Sequence, residues 1–187
     1  MAKKELKQVY DDCWVYILLL TTLAILIQSL KNYTFTIVSY KISYNILLIP
    51  VSLFLTNYIL KKFDYKKAIA GIAISAVISV SFIAMIYFGL GRRLIISNIC
   101  GDFFAYVVSQ YVNLFIYEFL YSNSKNSYLL TFLTYMFSTI IYIMVYTLIY
   151  LNSIVMVGYW MRYLTTLIIE LVLCLTISYF DTKIKKD

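Results

Sequence analysis

Two stretches of this sequence place amide and ionisable side chains inside long apolar runs. Between Leu94 and Tyr121, Asn98, Asp102, Ser109 and Asn113 recur at spacings that bring them within about 60° of one another on a helix. Tyr106 and Tyr117 fall at the edge of that stripe, and Gln110 a little beyond it. Between Val155 and Phe180, Arg162, Thr166 and Glu170 follow one another a turn apart and share a broad face. Amides donate and accept, a carboxylate accepts and a guanidinium donates. Such a set can recognise a polar solute, or it can bind helices to one another, and both uses fit the stripe. Asp102 and Arg162 enter their runs from the same side at similar depth. A buried charge without a partner is costly, so an Asp102–Arg162 pair is expected. Glu170 falls near mid-run, as a proton-binding acid, an acceptor for a ligand N–H, or a structural partner.

Little else in the chain points to covalent chemistry. It has no histidine, which removes the commonest general base and metal ligand. Cys13, Cys100 and Cys174 fall in or beside apolar runs and read as small packing residues. No GxSxG, HExxH, CxxC or Walker motif occurs. A pair of intramembrane aspartates would suit a protease, but only Asp102 lies well inside a run. The expectation is a protein that is not an enzyme and holds no cofactor or metal.

The elements that must position these residues are membrane spans. Crossing about 30 Å of hydrocarbon takes roughly 20 apolar residues in a helix. Six runs approach or exceed this: Trp14–Leu30, Tyr44–Leu60, Ala68–Leu90, Leu94–Tyr121, Ser127–Leu151 and Val155–Phe180. They are continuous, without the alternation of a β-barrel. The expected fold is therefore all-α: one transmembrane domain over residues 1–187, with six helices. The first run opens on Trp14 and Tyr16, is longer than a signal-peptide core and lacks a cleavage pattern, so it reads as a span. Thr34–Tyr44 alternates instead, and predicts a short extended flap after the first span. Gly71, Ser75 and Ser79 follow small-xxx-small spacing and predict a central, protein-facing third helix. Pro50 interrupts the second span, with Thr56 and Asn57 about two turns on.

Several of these runs resemble a known family. Ile49–Gly71 (IPVSLFLTNYILKKFDYKKAIAG) is similar to the second-span signature of the VUT family, the queuosine precursor transporters. Phe103–Leu120 (FFAYVVSQYVNLFIYEFL) resembles the family's Ala-Tyr…Gln-x-x-Asp…Phe stretch, and Gly158–Leu164 (GYWMRYL) its last-span Tyr-x-x-Lys. The resemblance implies a bacterial inner-membrane importer of a small planar solute of the 7-deazaguanine type, working by alternating access. It places Asn57, Gln110, Asn113 and Arg162 at the substrate site; burial adds Asp102 and Glu170. The chain departs from the pattern at several points. Asn57 and Asn113 stand where the family has aspartates, Arg162 where it has lysine, Asp64 where it has glycine, and Thr134–Ser138 lacks the family's acid.

Two further readings are a substrate-binding membrane subunit of an ATP-driven importer and a non-transporting interaction or immunity protein. Self-association stays open. The net charge of +7 is no sign of a nucleic-acid partner, because its placement is that of a topology signal. Lys3, Lys4, Lys7, Lys61, Lys62, Lys66, Lys67, Lys125, Lys183, Lys185 and Lys186 fall on one side of a six-span layout. Only Lys31, Lys41, Arg92 and Arg93 fall on the other. Positive loops stay cytoplasmic, so both termini are expected inside. Reporter fusions at residue 187 and within Lys61–Lys67 should both read cytoplasmic; an external signal from either would break the six-span layout.

Overall fold

The computed structural model describes the backbone of residues 2–30, 33–37, 40–90, 96–123, 127–150 and 160–184, and the side chains of 13–30, 33–36, 42–90, 101–120, 128–146 and 165–180. Six helices follow one another: α1 (Ala2–Ser29), α2 (Asn45–Lys62), α3 (Tyr65–Gly89), α4 (Ile96–Asn123), α5 (Ser127–Tyr150) and α6 (Trp160–Ile184). A two-stranded hairpin, β1 (Thr34–Ile37) and β2 (Tyr40–Ser43), separates the first two. The protein is an all-α membrane protein with an extended flap after its first helix. Among the described residues, α3, Gly101–Leu120 of α4 and Tyr128–Tyr146 of α5 are long and apolar enough to cross a bilayer, and Cys13–Ser29 and Thr165–Phe180 form shorter apolar helices.

The distribution of side chains is that of a chain whose solvent is lipid. Leu18, Val77, Met85, Phe88, Phe115 and Ile168 are exposed, whereas Ser52, Thr56, Asn57, Gln110, Asn113 and Glu170 are buried. Hydroxyls inside the bundle are absorbed largely by their own helices. Thr21, Thr134 and Ser138 donate to carbonyls four residues back, at 2.8 Å. These bonds let a polar side chain sit in a dry helix without an outside partner.

The helix at the centre is α2, which packs against all five others. Ile49, Leu53 and Ile59 fill its surroundings together with Leu20, Ala24 and Ile27 of α1, Ile72 and Ala76 of α3, and Leu114 of α4. The expectation for α3 needs correcting in part. Its small-residue stripe does face protein, but Ala73, Val77, Ile78, Phe82 and Met85 are exposed on the other side, so α3 lies on the perimeter. The small residues admit α1: Ser79 Oγ accepts from Gln28 Nε2 at 2.9 Å, and Gly71 lies against Ile17 and Leu20.

The hairpin pairs Thr34 with Ser43, Phe35 with Ile42, Thr36 with Lys41 and Ile37 with Tyr40. It is tied down at its base. Tyr44 N–H donates to the Tyr33 carbonyl at 3.0 Å, Ser43 Oγ to the Leu30 carbonyl at 3.3 Å, and the Phe35 and Tyr44 rings meet at 5.0 Å. β2 also touches α6, so the flap covers one end of the bundle, where α2 begins.

The α1–α3 contact can be tested at its closest point. A Cβ at Gly71 would meet Ile17 at 3.5 Å, Leu20 at 3.7 Å and Ile59 at 3.8 Å, which is ordinary contact. Gly71→Ala should therefore unfold no more easily than the parent. Gly71→Leu should cost about 1–3 kcal/mol by overpacking. Reversible unfolding in lipid or detergent discriminates the two.

Candidate functional site

The described part of the polar stripe on α4 is buried, with Asp102, Tyr106, Ser109, Gln110, Asn113 and Tyr117 all turned inward. Their partners come in layers. Deepest toward the α2–α3 turn, Asn57 and Asn113 form a reciprocal amide pair: Asn113 Nδ2 donates to Asn57 Oδ1 at 2.8 Å, and Asn57 Nδ2 to Asn113 Oδ1 at 3.4 Å. Asn113 Nδ2 also reaches the Leu53 carbonyl at 3.3 Å. One turn up, Gln110 is held at both ends of its amide. Its Nε2 donates to Ser52 Oγ at 2.9 Å, and its Oε1 accepts from Thr56 at 2.7 Å. Ser52 in turn donates to the Ile49 carbonyl at 2.7 Å, beside the ladder interruption at Pro50. Five fully buried polar side chains thus form one seam joining α2 to α4.

On the opposite flank of α4, the Tyr106 hydroxyl lies 3.1 Å from Ser75 Oγ of α3. α4 therefore presents polar groups to two neighbours. Glu118 points away and is exposed.

The layer nearer the hairpin is built differently. Asn45 at the start of α2 donates to the Tyr142 hydroxyl of α5 at 3.5 Å. Asp102 of α4 and Glu170 of α6 both lie within electrostatic reach of that hydroxyl. Glu170 also lies near Cys174, one turn along α6, and the Cys174 thiol faces Thr139 of α5. Four helices thus converge here. Glu170 is 0% exposed, and neither of its carboxylate oxygens has a hydrogen-bond partner among the described residues. The amide oxygen of Asn45 is likewise buried and unbonded. This layer has acceptors left over, whereas the α2–α4 seam has none.

The residues expected at a substrate site therefore divide. Asn57, Gln110 and Asn113 come together, engaged with one another and with α2. Asp102 and Glu170 come together in the second layer. The side chains of Arg162 and Asn98 lie outside the described residues, and with them the expected Asp102–Arg162 pair. Asn45, Tyr142 and Thr139 belong to the second layer and were not expected there. The one cue to Asn45 is an amide placed directly after the flap; Tyr142 is lost among twenty tyrosines. Among the described residues no group of histidine, cysteine, aspartate or glutamate is arranged to hold a metal.

No protein-family model, curated protein or solved structure matches this chain.

The amide pair can be tested by a double-mutant cycle. Asn113→Leu leaves Asn57 buried without its partner and should destabilise the fold by about 0.5–2 kcal/mol, the span of interhelical polar contacts in membranes. Asn57→Leu should do the same. The double variant should cost clearly less than the sum of the two, since no orphaned amide remains. Additive losses would show that the two amides do not stabilise each other.

Proposed function

We propose that this protein is a membrane transporter for a small, planar, donor-rich solute, which binds in the layer formed by α2, α4, α5 and α6. One observation carries the reading: the Glu170 carboxyl is wholly buried, and among the described residues neither oxygen has a hydrogen-bond partner. A buried acceptor of this kind costs free energy unless something supplies a donor. Ionisable residues at such depth usually serve a solute or proton path. Asn45 adds a second open acceptor, and Tyr142 a hydroxyl and a flat ring. A ligand with two or more N–H groups on a planar ring complements this set.

The resemblance to queuosine precursor transporters suggests the class of solute, a 7-deazaguanine, and import across a bacterial plasma membrane with both termini cytoplasmic. In this reading the α2–α4 seam is the closed side of an alternating-access cycle. Its amides bond to each other in the state described here, and a solute passing inward exchanges with them. No bond is made or broken in the solute. An ATP-driven importer would use the same layer for binding and take its energy from a partner.

A second reading has its own support. Asn57, Gln110 and Asn113 are satisfied by helix partners, as expected of interhelical glue in a non-transporting interaction protein.

Uptake of labelled deazaguanines into cells that cannot make them separates the readings. Cells expressing the protein should accumulate label. Glu170→Gln exchanges an acceptor oxygen for a donor and should weaken apparent affinity roughly 10- to 100-fold, with membrane insertion unchanged. Wild-type uptake that Glu170→Gln leaves intact would remove Glu170 from the site. Absence of uptake for every deazaguanine would remove that solute class and favour the interaction protein.

A further inference from the structure

The surroundings of Glu170 offer a negative charge nothing to hold it. Its carboxyl is 0% exposed, and among the described residues it makes no hydrogen bond and no ion pair. Each helix of the layer contributes to those surroundings. α5 brings Tyr142, and Thr139 facing the Cys174 thiol. α4 brings Asp102, within reach of the same Tyr142 hydroxyl. α6 itself brings Cys174, one turn on. α2, packed against α6, brings Asn45, whose Nδ2 is already engaged with Tyr142 at 3.5 Å. β2 also meets α6; the side chains of its Lys41 and of Arg162 lie outside the described residues. Arg162 stands eight positions from Glu170, about 12 Å along the helix axis.

The described neighbours are thus two hydroxyls, a thiol, an amide and a second acid. A carboxylate in a dry layer needs a cation, a donor or water, and without one the same group is cheaper with a proton bound. Asp102 offers no compensating charge, being of the same sign. A proton removes the charge and turns one unbonded acceptor into an O–H. It needs neither a cavity nor a coordination shell, so this packing accepts it without rearrangement. A solute with N–H groups imposes the opposite condition, because donors aimed at both oxygens favour the carboxylate. Proton and solute therefore satisfy the same two atoms in turn.

We infer that Glu170 is a proton site whose proton is exchanged for the solute: the carboxyl holds one proton in the state described here and releases it as the solute's N–H groups take its oxygens. The O–H bond breaks, its electron pair stays on the carboxylate, and the proton passes to water on the side from which the solute enters. When the solute leaves, the carboxylate takes a proton from water on the side of release. Nothing is oxidised or reduced. The exchange rests on the transport reading above; the resting proton does not.

The full chain in lipid nanodiscs tests both halves. Without solute and at neutral pH, the infrared difference between the parent and Glu170→Gln should contain the C=O stretch of an un-ionised carboxylic acid. Isotopic labelling of the glutamate carboxyls in the parent should shift that band, which excludes Asp102 as its source and needs no variant to fold. A parent whose glutamates are all ionised, or a band that survives in Glu170→Gln, would overturn the proton site. 7-Deazaguanine is the probe for the exchange. Its apparent affinity for the parent should rise with pH from about pH 6, by up to about tenfold per pH unit, with one proton released per solute bound. The weaker binding by Glu170→Gln should not change over the same range. Binding by the parent that is independent of pH, or an equal slope in Glu170→Gln, would overturn the exchange. Failure of 7-deazaguanine to bind at any pH, with the infrared band in place, would overturn the exchange and the solute class together and leave the proton site standing.

Discussion

A polar side chain inside a bilayer must find its partner within the protein, because the surrounding hydrocarbon offers none. α2 is where this constraint shapes the bundle. It touches every other helix and carries Asn45, Ser52, Thr56 and Asn57, all buried. Apolar packing alone would give α2 little reason to prefer protein over lipid, since lipid tails are as apolar as leucine. The amides and hydroxyls supply that preference. Gln110 fits only where Ser52 and Thr56 are spaced to hold both ends of its amide, and Asn113 only where Asn57 and the Leu53 carbonyl meet it. The seam therefore fixes both the register and the rotation of α4 on α2. α4 can then present Tyr106 to α3 and Asp102 to the layer shared with α5 and α6.

The six helices could be read from the sequence because hydrocarbon imposes a length. A run such as Ser127–Leu151 has one reading in water-poor surroundings, and α5 spans Ser127–Tyr150. The flap was legible for a complementary reason: Thr36, Lys41 and Ser43 interrupt the apolar run at alternate positions, and the strands pair there. Rotation about each helix axis was legible only where polarity marked it. The α4 stripe is buried as its spacing implied. α3 misled, because its stripe of small residues says that a neighbour comes close but not how many neighbours there are; α1, α2 and α4 take one side and exposed Val77, Phe82 and Met85 take the other. Partner choice was the least legible property. Nothing local to Gln28 names Ser79, and nothing local to Asn45 names Tyr142, since each bond joins residues set together by the whole bundle.

The two polar layers differ in chemistry more than in composition. In the seam, donors and acceptors are matched, and each amide uses both of its ends. In the layer near the hairpin, the acceptors outnumber what the described side chains offer them, with Glu170 and Asn45 holding unbonded oxygens. A matched layer resists separation. An unmatched layer is destabilised until a donor arrives, and so is suited to a ligand. Their order along α2 and α4 is also meaningful. The unmatched layer lies beneath the flap, and the matched layer lies between it and the basic turn at the other end.

The amide pair of the seam has a further physical sense in this light. Two carboxylates facing each other as Asn57 and Asn113 do would repel, and such a pair would need a proton or a ligand N–H between them. Two asparagines in the same place are self-complementary, because each amide carries one donor group and one acceptor. Where two acids would make a pair that requires a third participant, two amides make one that closes on itself, and the two bonds at 2.8 and 3.4 Å are that closure. The requirement for a donor does not vanish from the bundle. It stands at Glu170, across the interface on α6 and nearer the flap. Under the transport reading proposed above, a solute would meet Glu170 before the seam, and the asparagines would act on its passage and not on its capture.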